Sequence, residues 1–71
     1  MNFNTEQNLI QIQALKKERI KTDQNTHVLH ARIKIAKNEV KNLRKFANSK
    51  NPKISEYCKN LADEIEARIK A

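Results

Sequence analysis

The side chains in this chain that could do chemistry are few, and their spacing limits what that chemistry would be. His27 and His30 stand three residues apart, a helical spacing at which two imidazoles can face one metal ion. Two ligands do not close a site, so no metal is expected. Cys58 has Lys59 beside it but no placed histidine base, and it falls with apolar neighbours, which reads as a small buried thiol. Asp63, Glu64 and Glu66 could supply paired carboxylates for hydrolysis or transfer. With Lys70 four residues after Glu66, they read instead as the solvated face of a helix carrying an i,i+4 ion pair. The chain contains no glycine, hence no phosphate-cradling loop. No catalytic residue and no cofactor is expected, and the chain reads as a non-enzyme.

The cationic groups are more informative. Residues 16 to 53 hold twelve Lys and Arg against three acids, while residues 1 to 15 and 54 to 71 each carry a net charge of −1, for a total of +7. Within the middle stretch His30, Lys34, Lys37, Lys41, Arg44 and Lys45 occupy about 100° of one helical face, opposite an apolar stripe. A run of like charge without interleaved acids repels itself and suits contact with carboxylates or phosphates. Few neutral polar residues accompany it, only Asn38 and Asn42, so base-specific reading of nucleic acid is not expected. Phe3, Phe46 and Tyr57 lie on or beside apolar faces or near the start of a helix. They read as core or helix-staple residues, not as stacking platforms.

Helices must position these groups. The lack of glycine, the single proline and the scarcity of Val, Thr and aromatics argue against a sheet. A first helix over about 5–21 starts at Asn4 or Thr5, with Asn4 and Gln7 spaced as a capping box. Its apolar residues Leu9, Ile10, Ile12, Leu15 and Ile20 spread over more than half the circumference, suiting an apolar docking or oligomerisation surface. A second helix, about 27–48, places Leu29, Ile33, Ala36, Val40, Leu43 and Ala47 on one narrow stripe, with Val28, Ile35 and Phe46 beside it. Asn51 followed by Pro52 is an N-cap with proline at the first helical position. It opens a third helix over about 52–70 whose arc of Ile54, Tyr57, Cys58, Leu61, Ile65 and Ile69 packs back on the second.

The stretch from Thr22 to Thr26 decides the architecture, because its Thr, Asp and Asn residues are weak helix formers. If it bends, one all-α domain over residues 1–71 forms a small three-helix bundle. If it continues, residues 5–48 form one helix of about 65 Å in a long coiled-coil-like hairpin, and the uncovered half must oligomerise or bind. Arg19, Thr22 and Thr26 at the seam positions of that long helix tip the balance toward the bend.

At 71 residues the core is small, although 17 Ile, Leu, Val and Phe are enough for folding. One cysteine precludes an internal disulfide and points to a reducing, cytoplasmic setting. No apolar run reaches the length of a membrane span. Asn51, Pro52 and the run Cys58-Lys59-Asn60-Leu61-Ala62 resemble in outline the second helix of the small helical aspartyl-phosphate phosphatases of sporulation control. Cys58 replaces the motif serine and Ala62 its functional aspartate, so the resemblance implies no such activity here. Two functions are therefore expected. One is a protein-protein interaction module (a regulator, inhibitor, adaptor or chaperone), binding another protein or itself. The alternative is a nucleic-acid-binding protein gripping DNA or RNA phosphates along the basic face. The first makes Ile12→Asp or Leu15→Asp the damaging change, and the second makes it reversal of Lys37, Lys41 and Arg44.

Overall fold

Each helix starts at a side chain whose oxygen takes up an orphan backbone N–H. The computed structural model describes residues 2–71, with α1 at Phe3–Lys17, α2 at Asp23–Phe46 and α3 at Pro52–Lys70, and no strand among the described residues. Asn2 Oδ1 accepts from the Thr5 N–H at 2.8 Å, Thr22 Oγ1 from Asn25 at 3.0 Å and Asn51 Oδ1 from Lys53 at 3.0 Å. The third cap is the one expected. The first lies two residues before Asn4, and the Asn4–Gln7 box is not what opens the helix.

Removing the Asn51 cap leaves an N–H of the α3 first turn without its partner. Asn51→Ala is therefore expected to lower stability by about 1 kcal/mol, readable as a fall of roughly 4–8 °C in thermal midpoint.

The chain does bend between the first two helices, so the continuous helix over 5–48 does not form. The bend comes at residues 18–22, earlier than the 22–26 expected from propensity, because Thr22 acts as a cap instead of a breaker. Lys21 stabilises the bend by donating its ammonium to the Leu15 carbonyl at 2.9 Å and the Lys16 carbonyl at 3.1 Å, satisfying the end of α1. Asn25 then donates to Glu18 across the bend at 3.2 Å.

The seam is made by Leu9 and Ile12 of α1, Ala36 and Val40 of α2, and Ala62, Ile65 and Ile69 of α3, with Leu29, Ile33, Leu43 and Leu61 packed around them. Ala36 and Ala62 have little side chain to hold the helices apart, and α2 against α3 is the most extensive interface. Burial of Leu9 and Ile12 contributes about 1.5–3 kcal/mol each, the main apolar tie of α1 to the α2–α3 hairpin.

Polar contacts hold α1 at both ends. The Thr5 hydroxyl donates to Glu39, and Asn8 exchanges two hydrogen bonds of 3.1 Å with Arg32, one to its backbone carbonyl and one from its guanidinium. At the other end Gln13 donates to the Arg68 carbonyl at 3.0 Å, and the Lys16 ammonium donates to the carbonyls of Ile69 and Ala71. Lys16 thus places positive charge at the negative end of the α3 dipole. Among the described residues no buried side-chain polar atom lacks a partner.

Glu6 pairs with Arg68. The guanidinium hydrogen bond, opposed in part by desolvation, holds the Glu6 carboxyl below the ordinary carboxylate range. A depressed folded pKa means that this contribution is present above the unfolded value and is lost as pH falls through the folded one. The thermal midpoint is therefore expected to drop as pH is lowered below about 4. Glu6→Gln should flatten that dependence in a series of melts, and an unchanged slope would remove Glu6 from the account.

The bundle is elongated, 47 × 19 × 14 Å, because α2 alone runs for 24 residues, about 36 Å, and α1, the shortest helix, leaves the turn end of the hairpin uncovered. That explains two corrections, and a third lies on α1 itself. Phe46 and Tyr57, near the hairpin turn, are 62% and 59% exposed, and Phe3 in the first turn of α1 is 75% exposed. None of the three is a core or staple residue. Ile54 is exposed for the same reason, whereas Cys58 is buried, with a free thiol.

Candidate protein-interaction surface

The basic residues of α2 all reach solvent, but they are not equivalent. Arg44 crosses to α3 and binds Asp63 at 3.3 Å and Glu66 at 2.6 Å. The Glu66 hydrogen bond, with a smaller share from Asp63, raises the Arg44 pKa further above its already high value, so its charge is permanent but engaged. This also corrects the Glu66–Lys70 pair: Glu66 turns to Arg44. Lys34, Lys37, Lys41 and Lys45, by contrast, make no ion pair or side-chain hydrogen bond with any described residue. His30 is exposed at the N-terminal end of the same face.

Lys37 and Lys41 do not lie opposite the apolar stripe. They form one wall of an open groove floored by the half-buried Ile33 and by the edges of the core residues Val40 and Ile69. Arg44, Glu66 and Lys70 close the other side and end. A shallower depression continues along α2 past His30 and Lys34. The groove joins α2 to the last turn of α3, and linear reading missed it because Ile69 and Lys70 are far from Lys37 in sequence. Its trace in the sequence is the seven-residue step from Ile33 to Val40 beside the four-residue step from Lys37 to Lys41.

The apolar set of α1 does not form one surface. Leu9 and Ile12 are fully buried in the core and cannot meet an external partner without unfolding. Leu15 is half-buried at the last turn of α1, Ile10 is 45% exposed, and Ile20, at 75%, lies in the bend after the helix has ended. The spread of these residues around the helix reflects core packing on one side and isolated exposed residues on the other.

Comparison with family models, curated proteins and solved structures finds no match. The surface is read from its own chemistry. No group of three or more His, Cys, Asp or Glu able to hold a metal ion occurs among the described residues, and His27 and His30 both face solvent. No helix among them is long and apolar enough to cross a membrane.

Proposed function

We propose that this chain is a non-enzymatic helical module that binds an acidic surface of another protein through the basic face of α2. The observation that carries this reading is the unpaired state of Lys34, Lys37, Lys41 and Lys45 beside a groove with an apolar floor. A solvated lysine face that only confers solubility has no need of adjoining apolar ground, whereas a protein interface combines an apolar centre with a charged rim. Electrostatic steering by the +7 charge would speed encounter with an acidic partner.

A second reading, phosphate contact with DNA or RNA, draws on the four-lysine ladder itself, which carries no competing acid on its own face. It makes no use of the groove floor. A cytoplasmic setting belongs to either reading, since the lone thiol of Cys58 is free.

The experiment that separates them is affinity capture with nuclease treatment, comparing the natural chain with Lys34→Glu/Lys37→Glu/Lys41→Glu. Protein binding predicts a discrete set of partners that survives nuclease and is lost with the triple reversal. Loss of all captured material on nuclease treatment, together with co-elution of purified chain with duplex DNA or structured RNA at low salt, would establish the second reading instead.

A further inference from the structure

The α2–α3 hairpin has two long grooves, and α1 occupies only one of them. Its contacts on α2 are with Arg32 and Glu39, and on α3 with Arg68. Lys37, Lys41 and Arg44 of α2, with Glu66 and Lys70 of α3, lie around the other groove. In its own groove α1 shows what the hairpin accepts. A helix sinks two apolar residues one turn apart, Leu9 and Ile12, into the seam and pairs an acid, Glu6, with a flanking cation, Arg68.

We propose that the second groove takes an acidic amphipathic helix of a partner protein, completing a four-helix arrangement. This inference rests on the protein-binding function proposed above. The half-buried Ile33, with the edges of Val40 and Ile69 that stay 5% and 8% exposed, offers a shallow apolar seat, and the span from Ile33 to Arg44 is about 17 Å, room for roughly three helical turns. Charge complementarity sets the sign of the partner. Lys37, Lys41 and Lys70 are unpaired on the rim, and its one acid, Glu66, is already held by Arg44 at 2.6 Å. A ligand helix with apolar residues at three- and four-residue spacing and Glu or Asp on both flanks meets every feature of the groove.

A second copy of the chain seated through the same face would set lysine against lysine and is disfavoured. A nucleic-acid backbone would contact the lysine ridge and leave the apolar floor unused.

The test is titration of the isotopically labelled chain with three synthetic peptides of about 15 residues. The first has Leu at three- and four-residue spacing flanked by Glu, the second has the same composition with the Leu positions scrambled, and the third keeps the Leu pattern with Lys flanks. The first should bind at least about 10-fold more tightly than the second and shift amide signals around Ile33, Val40 and Ile69, while the third should not bind. In Lys37→Glu/Lys41→Glu the preference should invert toward the third peptide. Equal binding of the first and second, or shifts confined to residues outside the groove, overturns the groove inference and leaves protein binding by the basic face standing. If neither acidic peptide binds at about 1 mM and duplex DNA does, the protein-binding function falls as well.

Discussion

Ile12→Asp should unfold the protein. Ile12 is fully buried in the seam and is one of the two side chains that give α1 its apolar hold on the hairpin. Deleting a buried aliphatic side chain of this size costs about 2–5 kcal/mol, and placing a carboxylate there without a partner adds several more. A bundle of this size is held by roughly 3–5 kcal/mol in total. The loss exceeds the reserve. Circular dichroism should show helical signal much reduced at 25 °C, or a urea midpoint near zero. A variant that kept the natural helicity and midpoint would show that α1 is not part of the cooperative core. Ile12→Asp, which on sequence grounds would probe a docking surface, thus reports on folding alone. Ile10→Asp, at a half-exposed position on the same helix, is a suitable control and should leave the melt nearly unchanged, within about 0.5 kcal/mol.

Reversal of three lysines should have the opposite profile, with folding retained and binding lost. Lys34, Lys37 and Lys41 are exposed and hold no polar partner among the described residues, so replacing them with Glu removes no ion pair or hydrogen bond and relieves repulsion along α2. Stability should therefore change by less than about 1 kcal/mol. Against an acidic partner each reversal removes an attraction and introduces a repulsion. Together the three should cost about 2–4 kcal/mol of affinity, roughly 30-fold to 1,000-fold in Kd. Calorimetry with a partner recovered by capture, paired with a melt of the same sample, reads both quantities. A melt lowered by more than 1 kcal/mol with affinity unchanged would assign these lysines a structural role and sink the interface. Arg44 is left out of the set deliberately. Its guanidinium holds Asp63 and Glu66, so Arg44→Glu would bring three carboxylates together and confuse lost folding with lost binding.

What could be read from the linear chain follows a physical divide. The all-α class, the third helix from Pro52 to Lys70 and its Asn51 cap were legible because they depend on nearest neighbours: backbone propensity, a proline at N1 and a side-chain oxygen within two residues of an orphan N–H. The weak stretch around Thr22 was visible for the same reason, but with the seam residues Arg19, Thr22 and Thr26 it only favoured a bend over a continuous helix. The position of the bend was not legible, since the choice between Thr22 as breaker and Thr22 as cap depends on whether Lys21 can reach back to the end of α1 and Asn25 to Glu18.

The basic face of α2 was also visible, being a property of one helix. What tertiary structure decided was which charges remain free and what lies beside them. Arg44 is taken by two acids about twenty residues away, while Lys37 and Lys41 gain Ile69 and Lys70 as groove neighbours. Likewise Leu9 and Ile12 became core while Ile10 and Ile20 did not, and Phe46 and Tyr57 stayed exposed because α1 is too short to cover them. Local rules determine that a segment is helical and which face is apolar. Which part of that face is buried depends on the length and docking of the other helices, because burial is a property of pairs of surfaces and not of one residue's type.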